Sequence, residues 1–205
     1  MALAADNLFF TADLHLGQHN LTRAGKNHCN RPFKDVEHMQ EGLIERWNAK
    51  VPKGGTVIII GDVTDSMPAL KDFMSRTNGT KHLVAGNHDE DWSFQTFKAV
   101  GFARCDIRRT ISVKDPDGNF QHGDGGPRVQ EIICDHYPLR TWKKKPHGAW
   151  HLYGHVHNNF NSHDKSFDVG VDCWNWTPLS YAEVKAEMSH LRTNSRDAVK
   201  EKGEK

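Results

Sequence analysis

The sequence predicts an α/β fold, and three observations support this class. Short apolar runs of Val, Ile, Leu and Phe recur along the chain as candidate strands. Segments with the periodicity of amphipathic helices separate the first three of these runs. Repeated strand, helix, strand units favour parallel pairing, because the crossover returns the chain to the same edge of the sheet. At 205 residues, the chain suits one domain with a sizeable core.

The first half of the chain alternates strands with helices. The candidate strands are residues 8–10, 57–60 and 81–85. Pro32 and Asp35 introduce the first helix, and a second helix follows the second strand. A third helical pattern covers residues 94–100. The apolar faces of the first two helices comprise Val36, Met39, Leu43, Ile44 and Trp47, and then Met67, Leu70, Phe73 and Met74.

The second half has a different pattern, which predicts a second and more antiparallel sheet. Residues 103–113 and 120–134 form candidate strands, and shorter ones follow at residues 149–153 and 167–171. Ser180 and Glu183 have the spacing of a capping box, which predicts a last helix that ends near Leu191. We therefore expect one domain over residues 1–191, followed by a polar tail at 192–205 that is disordered.

Composition excludes several classes of protein. The chain has 27 Lys and Arg against 26 Asp and Glu, so no long contact with duplex nucleic acid is expected. Its four cysteines are far apart in sequence, which argues against a zinc knuckle or a disulfide framework. It has neither a signal-like N-terminus nor an apolar run near the roughly 18 residues that a membrane helix needs. We expect a cytoplasmic protein without membrane contact.

Histidine is overrepresented, with 14 residues, and several histidines lie beside carboxylates just after candidate strands. Polar side chains in such positions collect at one edge of a sheet. In a strand, residues i and i+2 point to the same face, so Asp13 can act with His15, and His155 with His157. The five segments are Asp13-Leu14-His15, Gly61-Asp62-Val63-Thr64-Asp65, Gly86-Asn87-His88-Asp89, His136 and Gly154-His155-Val156-His157.

These donor types indicate a site for two metal ions. Carboxylate, imidazole and amide ligands without thiolate favour manganese, iron, zinc or nickel. Two ions about 3.5 to 4 Å apart can hold a hydroxide at neutral pH and stabilise charge on both oxygens of an in-line displacement. Hydrolysis of a phosphate ester is the reaction that needs this arrangement.

In this order, the five segments resemble the calcineurin-like metallophosphoesterase superfamily, and in particular its small single-domain bacterial or phage-type members. The resemblance extends from Asp13 to His157 and, with the flanking strands, covers most of the chain. It implies a four-layer α/β/β/α sandwich of two mixed sheets with flanking helices.

The resemblance also implies a role for each matching residue. Two divalent transition metal ions are expected, with manganese as the first choice, and Asp62 would bridge them. A metal-bound hydroxide would attack the phosphorus, while His88 would act as general acid and Asp65 would orient it. One ion would be held by Asp13, His15, Asp62 and His157, and the other by Asp62, Asn87, His136 and His155.

The expected substrate is a phosphomonoester or a small phosphodiester, with a nucleotide preferred. Arg31 and Asn87 are candidate substrate contacts. Two alternatives remain: a nuclease of the same fold, and a non-catalytic scaffold module. The near-neutral charge and the lack of a long extra domain after His157 argue against the nuclease, and retention of His88 and of all expected ligands argues against the scaffold. The oligomeric state stays open.

Taken singly, several of these residues have simpler interpretations. Asp13 alone would be typical of a turn or a helix cap, and Asp65 could cap the helix that follows Ser66. Asp89 is expected to be structural. The run Lys143-Lys144-Lys145 is typical of a solvated surface, although a contact with substrate phosphate is an alternative.

Overall fold

The computed structural model describes residues 2–22, 29, 31–123, 125–160 and 163–191. Within these ranges, ten strands and four α-helices are found. The predicted tail at 192–205 lies outside the described residues. The strands are β1 (Leu8–Thr11), β2 (Thr56–Ile60), β3 (Thr80–Val84), β4 (Arg104–Asp106), β5 (Arg108–Lys114), β6 (Phe120–Gln121), β7 (Arg128–Asp135), β8 (Trp150–Tyr153), β9 (Ser166–Asp168) and β10 (Leu179–Ser180). The helices are α1 (Val36–Lys50), α2 (Met67–Arg76), α3 (Phe94–Ala99) and α4 (Tyr181–His190).

The strands form two mixed sheets. The first has the order β10-β1-β2-β3-β4, in which β1 to β4 are parallel and β10 is antiparallel to β1. The second has the order β5-β7-β8-β9, with β6 also paired to β7. There, β5 and β6 run antiparallel to β7, while β7, β8 and β9 are parallel. Each sheet thus combines both kinds of pairing.

The predicted strand over residues 103–113 is in fact two strands in different sheets. β4 completes the first sheet and β5 begins the second, so the chain crosses between the sheets at Ile107. The side chain of Ile107 is consequently left 77% exposed. A continuous apolar and polar alternation in sequence does not reveal such a change of partner.

The helices begin where the sequence predicts them to begin. Asp35 accepts a hydrogen bond from the His38 N–H at the start of α1. At the start of α4, Ser180 and Glu183 form the predicted capping box. The cap of α2 is Ser66, which accepts from the Ala69 N–H. Asp65 therefore does not cap this helix, and its carboxylate lies elsewhere.

Two apolar layers hold the sheets and helices together. Along β2, Val57 and Ile59 face α1 to α3, while Ile58 and Ile60 face the second sheet. Burying each such side chain stabilises the fold by about 1.5 to 3 kcal/mol. The outer face of the second sheet is covered by the segment after β7, through Trp142 and Ala149 packed on Ile133. Two mixed sheets flanked by helices confirm the predicted fold class.

The topology directs the polar loops to one edge. β1, β2 and β3 are parallel neighbours, and so are β7 and β8, so the carboxyl ends of each group of strands meet. The five polar segments follow these ends. Among the helices that the structure describes, none is long and apolar enough to cross a membrane.

Candidate metal centre

The backbone at the polar segments is strained. Residues other than glycine rarely adopt a positive φ, and each such residue costs about 1 kcal/mol or more. Strain of this kind concentrates at functional sites, where it aims side chains that regular structure would point elsewhere. Five of the seven predicted ligands have a positive φ: Asp13 (57°), His15 (49°), Asp62 (52°), His155 (72°) and His157 (46°).

The first group of candidate ligands consists of Asp13, His15 and His157, whose ligand atoms all lie within 4.8 Å of one another. Asp13 is completely buried, and the His155 N–H donates to its two carboxylate oxygens at 3.0 and 3.1 Å. The rings of His15 and His157 are stacked, with centroids 5.2 Å apart.

His15 supplies the clearest indication that a cation fits here. Both ring nitrogens are buried and have no hydrogen-bond partner. The nearest carboxylate oxygens, on Asp62 and Asp65, are 3.5 Å away, which is too far for a well-formed hydrogen bond. A buried imidazole without a partner is costly unless it meets another group, and a metal ion satisfies that need.

The second group consists of Asp62, His136 and His155, with Asn87 between the two histidines. His136 Nδ1 lies 2.9 Å from the Ile60 carbonyl and donates to it, so Nε2 turns toward the site. That Nε2 is 3.3 Å from Asp62 Oδ2 and 3.2 Å from Asn87 Oδ1. Asn87 Oδ1 is also 3.1 Å from His155 Nδ1.

Asp62 lies between the two groups. Its Oδ2 is 3.5 Å from His15 Nε2 and 3.3 Å from His136 Nε2. Its Oδ1 accepts the His88 N–H at 2.9 Å. The structure thus brings all seven predicted ligands together, with Asp62 between the two groups.

Burial and mutual contacts shift the pKa values of the candidate ligands. Burial raises the pKa of Asp13 to about 7. Burial alone would raise the pKa of Asp62 as well, but the hydrogen bond and charge of His136 lower it to about 2. Burial would lower the pKa of both His136 and His157, but the neighbouring Asp62 raises the first to about 9, and Asp172 raises the second to about 10.

Metal binding should therefore release protons. Near neutral pH, His136 and His157 carry protons in the metal-free protein, because their pKa values are about 9 and 10. Burial, in contrast, lowers the pKa of His15. A metal ligand must be deprotonated, and Asp13, with a pKa of about 7, is also partly protonated near neutral pH. We therefore expect release of about two to three protons when the site is filled, and apparent affinity that rises with pH. Titration calorimetry in buffers of different ionisation enthalpy measures this release. Binding without proton release would contradict the assignment of these two histidines.

His88 and Asp65 lie beside the centre in the arrangement predicted for an acid and its orienting partner. His88 Nδ1 is 2.7 Å from Asp65 Oδ1. The His88 side chain is 34% exposed. It lines a pocket of about 190 Å³ together with His15, His155 and His157. The imidazole is thus both held by a carboxylate and open to a bound molecule.

Asp89 has the structural position expected of it. It is buried, and its carboxylate accepts the Asp62 N–H at 2.9 Å, the Gly86 N–H at 2.9 Å and the Val63 N–H at 3.0 Å. Burial raises its pKa to about 6. These three hydrogen bonds join the loop after β2 to the loop after β3, and so fix the spacing between Asp62 and Asn87.

The substrate contact predicted for Arg31 is wrong. The side chain has no exposed surface. Nε and Nη2 donate to the Asp172 carboxylate at 3.0 and 2.9 Å, and the same guanidinium donates to the carbonyls of Leu14 and Asp13 at 3.0 and 2.6 Å. A buried guanidinium bonded in this way has no free face for a phosphate. Asn87, the other predicted contact, does face the centre.

Asp172 is a functional candidate that the sequence analysis missed. Its Oδ2 accepts from His157 Nδ1 at 2.7 Å, so it joins this histidine to Arg31. The ligand atoms of Cys29, His157 and Asp172 lie within 4.8 Å of one another. Such an outer partner fixes the tautomer and the orientation of a ligating imidazole. The sequence does contain a signal for it: Asp172 directly follows the candidate strand at residues 167–171, just as the five polar segments follow candidate strands.

Replacing Asp172 with Asn should weaken metal binding by about 10- to 100-fold, the usual effect of losing an outer partner. The amide keeps the volume but lacks the charge that holds His157 and Arg31. Competition with a chelator of known affinity measures the change, with thermal unfolding as a check of the fold. Asp117→Asn, at a side chain that is 81% exposed, is the matched control. Equal metal affinity in the two variants would show that Asp172 does not contribute to metal binding.

A family model described as calcineurin-like phosphoesterase matches residues 7–168. The Gene 66 protein of Mycobacterium phage L5 is 26% identical over 188 residues, which cover 82% of this chain and 87% of that protein. The uncharacterized protein MJ1445 of Methanocaldococcus jannaschii is 24% identical over 184 residues, covering 84% and 86% of the two chains.

A solved structure supports the fold alone. The protein of unknown function AQ665 from Aquifex aeolicus superposes with a TM-score of 0.61 and 18% sequence identity. The match covers 88% of this chain and 98% of that one.

Proposed function

The chain belongs to the calcineurin-like phosphoesterase family of metal-dependent phosphoester hydrolases, and we propose that it hydrolyses a phosphomonoester or small phosphodiester of the nucleotide type. The observation that carries the proposal is the position of Asp62 between the two groups of candidate ligands, with His88 beside them. The formal charge of +1 supports a small substrate over a long nucleic acid.

Two divalent transition metal ions, with manganese as the first choice, are the proposed cofactors. Carboxylate, imidazole and amide donors fit such ions. When bound, they supply an activated water molecule and neutralise the charge of the phosphate. Asp13, His15, Asp62 and His157 would hold one ion, and Asp62, Asn87, His136 and His155 the other.

His88 is the proposed general acid. Its Nδ1 is bonded to Asp65, so the proton available to a leaving oxygen is on Nε2. Asp65 keeps the ring in this orientation. The exposed part of the ring faces the pocket that the candidate ligands line.

Replacing Asp65 with Asn should lower turnover by about 10- to 100-fold, because the imidazole loses the partner that orients it. Metal content should stay at the wild-type level, since Asp65 Oδ2 is 3.5 Å from His15 and is not among the proposed ligands. Elemental analysis and steady-state kinetics on the same preparation test both points. A parallel fall of metal content and activity would make Asp65 a ligand.

The function is tested by a screen of metals against substrates with purified protein. The panel comprises aryl phosphates, a bis-aryl phosphate and natural nucleotides, including cyclic ones. We expect activity to vanish with a chelator and to return with manganese or a neighbouring transition metal. Folded, metal-loaded protein that hydrolyses no compound of the panel would favour the non-catalytic scaffold.

A further inference from the structure

An apolar cleft of about 450 Å³ lies next to the second group of candidate ligands. We call it the aromatic cleft and define it by Trp92, Phe94, Ile107 and Tyr137, and Gly86 also lines it. Its volume is within the range of about 300 to 1,000 Å³ that is typical of small-molecule sites. None of the roles described above uses it.

The aromatic cleft is continuous with the metal centre. The Tyr137 ring makes edge-to-face contacts with His136 and His155, with centroid distances of 5.3 and 4.7 Å. Gly86 precedes Asn87, and a side chain on this glycine would come within 2.3 Å of Asp62 Oδ1. A molecule whose phosphate sits at the candidate ligands therefore has the cleft directly beside it.

Exposed apolar surface is concentrated here. Among the described residues, three large hydrophobic side chains are classed as exposed: Ile107 (77%), Tyr137 (43%) and Phe160 (47%). Ile107 and Tyr137 both line the aromatic cleft. Their exposure costs hydration free energy, which a flat apolar ligand between them would recover.

The backbone at Tyr137 is fixed in advance. The Tyr137 N–H donates to Asp135 Oδ1 at 3.0 Å, and Arg108 Nε donates to the other oxygen of the same carboxylate. Asp135 thereby joins the end of β7 to the start of β5, next to Ile107. A backbone segment held in place loses less conformational entropy on binding than a mobile one.

We propose that the aromatic cleft binds a planar aromatic group, such as a nucleobase, carried by the substrate on the side of the phosphate away from His88. This inference rests on the proposed function and narrows the proposed substrate to a phosphodiester. Tyr137 contacts His136 and His155, whereas His88 contacts His15 and Asp65, so the two flank different candidate ligands. The group in the cleft then stays on the phosphate, and the leaving group lies by His88.

Two substrates with the same leaving group test the proposal. Thymidine 5′-(4-nitrophenyl phosphate) carries a base, and methyl 4-nitrophenyl phosphate carries none, while both release nitrophenolate. Stacking of a base on an aromatic side chain should raise kcat/KM for the thymidine ester by about 5- to 100-fold. Tyr137→Ala and Ile107→Ala should each lower this ratio, whereas Phe160→Ala, at an exposed aromatic outside the cleft, should keep it.

Binding provides a readout independent of turnover. Calorimetry with the metal-loaded protein should show tighter binding of thymidine 5′-phosphate than of ribose 5-phosphate, and Tyr137→Ala should remove the difference. Elemental analysis verifies the metals in that variant, because Tyr137 touches two candidate ligands. Ile107 lies between β4 and β5 and is not a candidate ligand, so Ile107→Ala tests the cleft even if Tyr137→Ala disturbs the centre.

The outcomes separate this inference from the proposed function. Hydrolysis of both esters with a ratio near one, or with a ratio that neither cleft variant changes, would overturn the inference and leave the function standing. No hydrolysis of either ester by protein that hydrolyses monoesters of the panel would also overturn the inference, because the inference requires a diester. No hydrolysis of any ester of the panel would overturn the function, and nucleotide binding would then test the cleft by itself. If an oligothymidylate bound far more tightly than the mononucleotide, the substrate would be single-stranded nucleic acid. That result would overturn the proposal of a small diester as substrate.

Discussion

Asp62→Asn should hold neither metal ion tightly and should lose phosphoesterase activity. Asp62 is the residue of the centre whose carboxylate approaches both groups, at 3.5 Å from His15 and 3.3 Å from His136. An amide offers one neutral acceptor where the carboxylate offers two charged oxygens. We expect activity to fall by more than the 10- to 100-fold effect of losing an outer partner. His157→Ala should weaken mainly one ion, because His157 lies with Asp13 and His15 and not with His136 and His155.

Elemental analysis after gel filtration measures the metal content of these variants, and circular dichroism checks their fold. Glu41→Gln is a suitable control, since it removes one carboxylate charge from an exposed ion pair with Arg76 on the helical face. Two tightly held ions in Asp62→Asn would rule out the bridging assignment. Full activity of the wild-type protein with magnesium alone would argue against a centre rich in imidazole.

His88→Ala should impair hydrolysis of a natural nucleotide ester far more than hydrolysis of a nitrophenyl ester. An alkoxide is a strong base and needs a proton as its bond to phosphorus breaks, whereas nitrophenolate leaves without one. Help from a general acid is worth about 10²- to 10⁴-fold where it is needed. The hydrogen bond of 2.7 Å to Asp65 supports this role, because it orients the ring and leaves Nε2 to donate.

The ratio of kcat/KM values for the two esters is the measurement, taken at equal metal content. His38→Ala, at an exposed histidine on α1, is the matched control and should keep the ratio. An equal loss on both esters would show that His88 binds phosphate or stabilises charge, and the acid role would have to be withdrawn.

The sequence by itself determined the local structure and the order of the chemical groups. Apolar periodicity predicted the strands before Asp62 and Asn87, and the helix starts followed from caps such as Asp35 and Ser180. Such signals depend on residues within about four positions of one another, so they can be read without the fold. Because parallel strands place their carboxyl ends at one edge, the meeting of the candidate ligands also followed from the order of the segments.

Tertiary packing alone decided which polar groups are paired and which are open. The sequence offered Arg31 as a candidate substrate contact, but it is buried against Asp172, which lies 141 positions later in the chain. The same packing places Asp172 on His157 and leaves Ile107 exposed where the chain changes sheets. A residue's neighbours across such separations depend on how the sheets and loops pack, and composition and spacing carry no record of that.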